Sequence, residues 1–413
     1  MQGRGFEPLK AEPAGLQPAP FGHSGTPAGN GIVAGHRAYT RSVKVDVLVV
    51  GAGPAGSSTA IHLARGGARV LLVDKARFPR DKPCGGGLTG RALKRIPVDP
   101  SPVVERDVDR FELRLRYGST FARSHSEPLI RMTQRRRLDA FLAEHAVAAG
   151  ADFRDGTKVE LTELGTSGVT ARVGAEVVQA GAVIGADGAN GVVARASGVG
   201  EEIVRGVALE GNVPLERLHG ELERTAVIEL AVLPGGYGWV FPKGDHANLG
   251  VGGWGTEGPR LRDHLDRLAR AHGLSLDALT ELRGHRLPMR RLGTPAAKGP
   301  VLLVGDAAGL VDPLSGDGMY EAFVSARLAA DAVLTGDLEG YTSALSAVLD
   351  RHAAASWAAK RAFDRYPRTV FAAARAPGVF KVVAGLLCGD VAHPADAHGV
   401  ARGPLKLIAR LAG

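Results

Sequence analysis

The segment between residues 45 and 74 constrains this chain most. Residues 45–50 form a nearly continuous β-branched run, as expected of a strand buried in a parallel sheet. A glycine turn follows at once: Gly51, Gly53 and Gly56 spell GxGxxG, with Pro54 and Ala55 between the last two. Residues 57–65 have helical spacing and stop at Gly66 and Gly67, and residues 69–74 form a second apolar strand ending on Asp74. The whole is a βαβ unit of about 30 residues. Gly51 permits the tight turn, Gly53 lets the backbone approach a pyrophosphate, and Gly56 lets the helix pack on the strand. The helix N-terminus would face the phosphates. Asp74, with Lys75 after it, stands where a carboxylate accepts ribose hydroxyls and disfavours a 2′-phosphate. A tight βα turn without a ligand is the competing reading; the flanking strand, helix and acid weigh against it.

Two further glycine signatures follow in order. Gly185, Asp187, Gly188, Asn190 and Gly191 come directly after a strand-like segment. Gly305, Asp306 and Gly309 follow the apolar residues 301–304, and Pro313, Gly316, Gly318 and Met319 come next. An Asp-Gly pair after a strand is also an ordinary turn, so Asp187 and Gly188 gain meaning only from the other two signatures. A second GxGxxG at Gly250, Gly252, Gly253 and Gly255 lacks a following βαβ unit and reads as a glycine-rich sheet edge. No second fingerprint for a nicotinamide dinucleotide is present.

With 413 residues the chain can form two or more domains. Its net charge of +8 fits nucleic acid, an anionic membrane surface, or an anionic substrate or cofactor. Nucleic acid is excluded here, because no basic segment is interleaved with aromatics for base stacking. Cys84 and Cys388 are the only cysteines, so neither a disulfide framework nor a cysteine metal site is expected, and a cytoplasmic location is the default. The histidines lack ligand-pair spacing, and no metal is expected. No apolar run reaches the roughly 18 residues of a spanning helix. Residues 1–43 are rich in Gly, Pro and Ala without periodicity; they read as a disordered extension or as translation begun too far upstream. Residues 377–388 and 404–412 are apolar with interspersed bases, which leaves open a peripheral contact with the inner membrane face or packing on the protein's own surface.

Together the three signatures resemble the FAD motifs of the p-hydroxybenzoate-hydroxylase-like flavoproteins. Two more segments narrow the resemblance. Pro83, Cys84, Gly85, Gly86, Gly87 and Leu88 resemble the PCGGGL loop of the geranylgeranyl reductase family. Tyr237, Trp239, Phe241 and Pro242, followed by Gly250 and Gly252, resemble that family's YxWxFP…GxG pocket motif. A halogenase WxWxIP pattern overlays the same place, but Tyr237 and Phe241 depart from it.

The resemblance implies an α/β fold: a Rossmann-like FAD-binding domain, a mixed-sheet substrate domain and a helical C-terminal segment. The discontinuous FAD-binding domain would comprise 44–100, 130–200 and 285–335. The β-rich substrate domain would comprise 101–129 and 201–284, and the helical region 336–413. Asp74 would hold the adenosine ribose. Arg135, first of three arginines and four residues before Asp139, would contact the cofactor near its ribityl and pyrophosphate part. Asp306 would bind the ribityl hydroxyls. Gly316 to Met319 would open a helix aimed at the flavin pyrimidine edge, where reduced flavin carries negative charge. Cys84 and Gly85 would approach the flavin.

The implied reaction is saturation of isolated C=C bonds in a polyprenyl lipid, diphosphate or quinone, with electrons from NAD(P)H or a ferredoxin-like protein. Such an alkene is not activated by a carbonyl, so much of the catalysis must come from alignment. Tyr237, Trp239 and Phe241 alternate onto one strand face and suit an apolar tunnel; ordinary core aromatics would show the same spacing. Cys84 reads as a gating or substrate-responsive residue, or as a small buried hydrophobe. The proton donor stays open among Tyr237, Cys84 and an ordered water. The rival readings are an FAD-dependent aromatic monooxygenase or halogenase-like enzyme, and a non-catalytic flavin-binding redox subunit.

Overall fold

The computed structural model describes residues 42–200, 203–220, 222–376, 378–396 and 402–411. The extension expected over 1–43 therefore lies outside the described residues, apart from Ser42 and Val43, which already belong to the first strand. The chain opens with β1 (Ser42–Val50), α1 (Pro54–Arg65) and β2 (Val70–Val73). After the glycine loop come β3 (Gly87–Thr89), the four-residue α2 (Gly90–Leu93), β4 (Arg106–Val108), β5 (Arg110–Leu115), β6 (Ser119–Ser124) and β7 (Ile130–Met132). Next are α3 (Arg135–Ala148), β8 (Asp152–Arg154), β9 (Val159–Leu164), β10 (Val169–Val173), β11 (Glu176–Gly185) and α4 (Val192–Ser197). A β-rich stretch follows: β12 (Val204–Pro214), β13 (Thr225–Leu230), β14 (Tyr237–Pro242), β15 (His246–Trp254), α5 (Leu261–Ala271), β16 (Thr280–Met289), β17 (Ala297–Lys298) and β18 (Val301–Leu303). Helices α6 (Met319–Thr335), α7 (Tyr341–Arg365), α8 (Pro367–Ala374), α9 (Val379–Cys388) and α10 (Arg402–Leu411) complete it.

The first sheet has the order β17-β18-β11-β1-β2-β8, with β10 and β9 added alongside β11. Its centre is parallel: Val50 pairs with Gly185 on one side and with Val73 on the other. The C-terminal ends of β1 and β11 thus stop at the same level, and β18 ends beside Gly185. That register brings all three glycine signatures to one edge, although more than 100 residues separate each from the next. The apolar runs of β1 and β2 are fully inside, packed with Ile61 and Leu63 of α1 and with Phe323 of α6.

The second sheet runs β16-β12-β15-β14-β13-β5-β6. Its residues alternate with period two. Val240, Leu249 and Val251 pack with Leu261, Leu265 and Leu268 of α5. Ala208, Glu210, Tyr237, Trp239, Phe241, His285 and Leu287 face the opposite way, into a cavity. A small third sheet, β3-β7-β4, links the two. Two expectations change. The glycine-rich segment at 250–255 is not a sheet edge: β15 lies between β12 and β14 and is hydrogen-bonded to both. Gly250 is there because the Trp239 indole lies against the strand: a Cβ on it would fall 2.1 Å from Trp239 Cζ2, whereas one on Gly253 would meet the Pro234 carbonyl oxygen at 2.5 Å. The boundary expected at 284/285 falls inside β16, which carries the second sheet to Met289 and meets Val311 there. No single helix among the described residues is long and apolar enough to cross a membrane.

Candidate active site

The three glycines of the first signature have different jobs. Gly51 has φ +102°, and a Cβ there would lie 2.4 Å from the Ala186 carbonyl oxygen. A Cβ on Gly56 would lie 1.8 Å from the Gly51 oxygen. Both are forced by packing. Gly53 is not: a Cβ there would meet only the Arg80 and Arg135 guanidiniums, at 3.5 and 3.6 Å. The open space over the start of α1 is therefore faced by two cations. Pro54 begins α1 and no side chain caps it, so the first-turn N–H groups of Ala55 and Gly56 face the same space. An anionic diphosphate fits this cradle.

Asp139 organises the two cations. Arg135 donates to it through Nε and Nη2, at 2.7 and 2.8 Å, and Arg80 Nη1 lies 2.8 Å away. Asp139 is fully buried, and α3 carries both ends of the Arg135 pair at i,i+4 spacing. Burial opposes the charge on Arg135, but the Asp139 carboxylate outweighs it and holds the guanidinium protonated. Asp74 accepts hydrogen bonds from the backbone N–H groups of Ala52 and Ala76, each at 2.9 Å. These bonds lock the βα turn to the end of β2, and Lys75 follows on the cavity wall.

Asp187 and Gly188 also line the cavity, but the Asp187 carboxylate serves the next element. It accepts the N–H groups of Val192 and Val193, at 2.5 and 3.1 Å, at the start of α4. Asp306 also lines the cavity and is paired with Lys82 Nζ at 3.0 Å and His285 Nε2 at 3.4 Å. Burial alone would raise the Asp306 carboxyl; Lys82 and His285 reverse that and hold it well below the usual carboxylate range. Gly305 takes φ +55° and Gly316 φ +66°, and between them Asp312 Oδ1 accepts the N–H groups of Leu314 and Ser315. This turn, with Pro313 in it and Gly318 after it, delivers Met319 to the start of α6.

The glycine loop crosses to the second sheet. The Cys84 N–H donates to Glu210 Oε1 at 2.7 Å, and the Cys84 carbonyl accepts from Lys243 Nζ at 3.0 Å. A Cβ on Gly85 would lie 2.9 Å from the Phe241 ring, so the loop rests on that ring. Tyr237, Trp239 and Phe241 form a continuous row, with centroid spacings of 6.1 and 6.3 Å. Trp239 Nε1 donates to Asn248 Oδ1 at 2.8 Å. The Tyr237 hydroxyl donates to the Ser315 carbonyl, and burial pushes its pKa upward, with Asp317 adding to the effect. Tyr237 therefore positions the 312–318 turn and is a poor proton donor at neutral pH. Pro242 closes β14, and Gly250 and Gly252 lie under the Trp239 ring.

Most of these groups border one cavity of about 1110 Å³; Gly56, Asp139, Pro242, Lys243, Asn248 and Gly250 are not part of its lining, so Pro242 and Gly250 shape the expected substrate pocket only from behind. At one end are Asp74, Lys75, Thr157 and Lys158. At the other are Phe111, Leu113, Phe121 and Ile130, with Val379, Phe380, Leu386 and Leu387 of α9. The volume exceeds the roughly 300–1,000 Å³ of common ligand sites, which leaves room for a dinucleotide and a second, apolar molecule. Arg80, Lys82, Glu210, Lys243 and His285 were missed from sequence. Arg80 and Lys82 had a signal, since they stand between the Asp74 acid and the glycine loop. Glu210, Lys243 and His285 had none: each is a single polar residue within or just beyond a strand.

A first sheet with a βα dinucleotide cradle, a second sheet walling an adjoining cavity and C-terminal helices closing it define an FAD-dependent oxidoreductase. The family described as FAD binding domain matches residues 44–332. The menaquinone reductase of Mycolicibacterium smegmatis is 32% identical, over 87% of this chain and 95% of that one. The geranylgeranyl diphosphate reductase of Rhodobacter capsulatus is 31% identical, over 71% of this chain and 75% of that one. The crystal structure of a geranylgeranyl bacteriochlorophyll reductase-like protein from Thermoplasma acidophilum superposes with a TM-score of 0.74 at 24% identity, covering 89% and 100% of the two chains. A flavin-dependent brominase shares the fold, with a TM-score of 0.69 at 19% identity over 88% and 98%. The chain belongs to the geranylgeranyl reductase family of FAD-dependent oxidoreductases.

Proposed function

We propose that this protein saturates isolated C=C bonds in a polyprenyl chain, with the prenyl tail of a quinone as the first candidate substrate. The observation that carries the reading is the continuity of the cavity, from a cationic, glycine-lined cradle to an apolar compartment walled by β5–β7 and α9. When bound, FAD supplies the hydride chemistry. Arg80, Arg135 and the first turn of α1 would hold its diphosphate, Asp74 its ribose, Asp306 its ribityl chain, and the N-terminus of α6 its pyrimidine edge. Trp239 and Phe241 would align the alkene, and the Cys84 loop would close over it. Exclusion of water by this apolar wall favours reduction over hydrolytic chemistry.

The choice of a quinone rests on coverage. The match to the menaquinone reductase spans 87% of the chain, more than the 44–332 FAD domain alone accounts for. The test is a single-turnover assay. The flavin is reduced chemically without oxygen, and the protein is mixed with menaquinone, geranylgeranyl diphosphate or a prenylated glycerolipid. Gain of one H2 per double bond in menaquinone supports the proposal. An oxygenated product formed only after admission of air overturns it in favour of a monooxygenase.

A further inference from the structure

A cluster of charge borders the cavity at the first turn of α6, and nothing so far assigned uses it. Its hub is Arg91 of α2. Arg91 Nη2 lies 3.6 Å from Glu321 Oε1 and 3.9 Å from Asp317 Oδ2. Its Nη1 lies 2.7 Å from His352 Nε2, on α7, and its guanidinium covers the Tyr320 ring at 4.7 Å. Asp312 Oδ2 lies 3.8 Å from the same His352 Nε2. Arg91, Asp312, Asp317 and His352 line the cavity, and Glu321 lies behind them.

Charge counting shows what this arrangement must do. An arginine only donates hydrogen bonds, so His352 Nε2 accepts from Arg91 and the ring is neutral. Burial and the Arg91 charge both lower the His352 pKa, in the same direction. Three carboxyl groups therefore face one arginine in a buried corner, with Lys360 acting on Asp312 from further off, and all three cannot be ionised without an uncompensated buried charge. Asp312 Oδ1 accepts from Leu314 N, Ser315 N and Ser315 Oγ, at 3.1, 2.8 and 2.8 Å. Burial raises the Asp317 carboxyl as well, but Asp317 faces Arg91 and accepts the Met319 N–H at 2.8 Å at the helix N-terminus, and both oppose the rise. Glu321 stands in the first turn of the same helix and takes some support from its own backbone N–H, but it is 5% exposed, its Oε2 is buried without a partner and Arg91 Nη2 lies 3.6 Å from its Oε1. Burial pushes its carboxyl well above the usual range, with Arg91 opposing and Asp317 and Asp312 reinforcing. Arg91 Nε, Asp312 Oδ2 and Asp317 Oδ2 are also buried and unpartnered, so a path of unsatisfied polar atoms leads from Glu321 to the cavity. Such a path is polar enough to hold bridging water.

We propose that Glu321 holds a proton at neutral pH and delivers it, by way of the Asp317 carboxylate and bridging water beside Arg91, to the substrate in the cavity. The delivery half of this rests on the reductase reading above. One hydride from reduced FAD and one proton from Glu321 replace the C=C π bond with two C–H bonds; FAD is left oxidised, and the carboxylate regains a proton from water. Arg91 of α2, Asp312 and Asp317 of the preceding turn, Tyr320 of α6, Tyr237 of β14, and His352 and Lys360 of α7, with His393 beyond, are the charged or titratable groups around the site.

The experiment has two readouts on the FAD-loaded protein. Infrared spectroscopy at pH 7 in H2O and D2O should show a protonated carboxyl band that shifts with the isotope. Glu321→Gln should remove the band at unchanged FAD content, and Glu321→Asp, which keeps the acid, should retain it. In the anaerobic single-turnover assay with menaquinone, Glu321→Gln should slow flavin reoxidation by about 10²-fold, a general-acid effect, and flatten its pH profile, while Glu321→Asp recovers much of the rate. A wild-type protein without the band, or a Glu321→Gln protein with the wild-type rate and profile, overturns the proposal. A band in wild type with no reduction of any prenyl substrate overturns the reductase reading and the delivery role with it, and leaves Glu321 as a protonated buried acid.

Discussion

Glu210 Oε1 accepts the backbone N–H of Cys84 at 2.7 Å, and this bond ties the glycine loop to the second sheet. Lys243 holds the carbonyl of the same residue, so one peptide segment is gripped from both sides by a buried acid and a buried base. Cys84 lines the cavity, and its sulfur accepts the Gly86 N–H at 3.4 Å.

That grip makes Glu210 a positioning residue with a measurable pH signature. Burial raises the Glu210 carboxyl above its model-compound value of 4.5, with Lys243 opposing the rise. Between that value and the raised folded value the folded protein binds more protons than the unfolded chain. Stability contributed by this group is therefore greatest at low pH and falls as pH rises through the folded pKa. Thermal unfolding of Glu210→Gln should lose this slope. Glu210→Ala also leaves Lys243 without its buried counter-charge and should destabilise by about 3–5 kcal/mol. A melting temperature equal to wild type at neutral pH would contradict the role.

Asp139→Asn tests the cation pair over Gly53. The substitution keeps the shape but removes the charge that fixes Arg80 and Arg135. We expect a loss of about 3–5 kcal/mol, because two guanidiniums lose their shared buried partner, and FAD should be released on desalting. Flavin absorbance per protein is the measurement. Retention of full flavin content would show that the N-terminus of α1 suffices without an oriented pair of arginines.

What was legible in the sequence is what is local. β1, the glycine turn, α1 and β2 lie within about 30 residues, and their apolar period and glycine spacing state their structure directly. The convergence of the three signatures was legible only through a family pattern, because β1, β11 and β18 meet by long-range parallel pairing. The second sheet shows the limit: Thr225 of β13 pairs with Arg110 of β5, and no local spacing announces that contact. Asp187 shows another kind of limit. An Asp after a strand was readable as a turn, but capping α4 and touching a cofactor call for the same residue in the same place. Arg91 and Glu321 lie on different helices and carry no motif, so the cluster they form exists only after folding.

Asp306→Asn probes the ion pairs across the cavity. The Asp306 carboxyl is held below its ordinary value by Lys82 and His285, against burial. A depressed carboxyl contributes stability above the unfolded pKa, near 3.8, and that contribution is lost as pH falls through the folded pKa. Wild type should therefore lose stability on acidification more steeply than Asp306→Asn, as followed by denaturant titration over the acid range. The variant should also hold FAD less tightly at neutral pH. Parallel acid profiles for the two proteins would remove Asp306 as the partner of Lys82.

Gly250→Ala tests whether the Trp239 indole is held flat by the strand beneath it. The added Cβ would fall 2.1 Å from Trp239 Cζ2, and the ring cannot slide away freely because its Nε1 is bonded to Asn248. Overpacking of this kind costs about 1–3 kcal/mol. Since Trp239 and Phe241 are neighbours in the aromatic row, the displaced ring should also narrow the apolar compartment, so turnover should fall more than flavin content does. Gly258→Ala is the control: a Cβ there meets nothing within 4 Å, and a free surface position should stay within about 0.5 kcal/mol of wild type. If Gly250→Ala behaves like Gly258→Ala in stability and in turnover, the glycines of β15 are not what sets the Trp239 ring, and the pocket is softer than its packing implies.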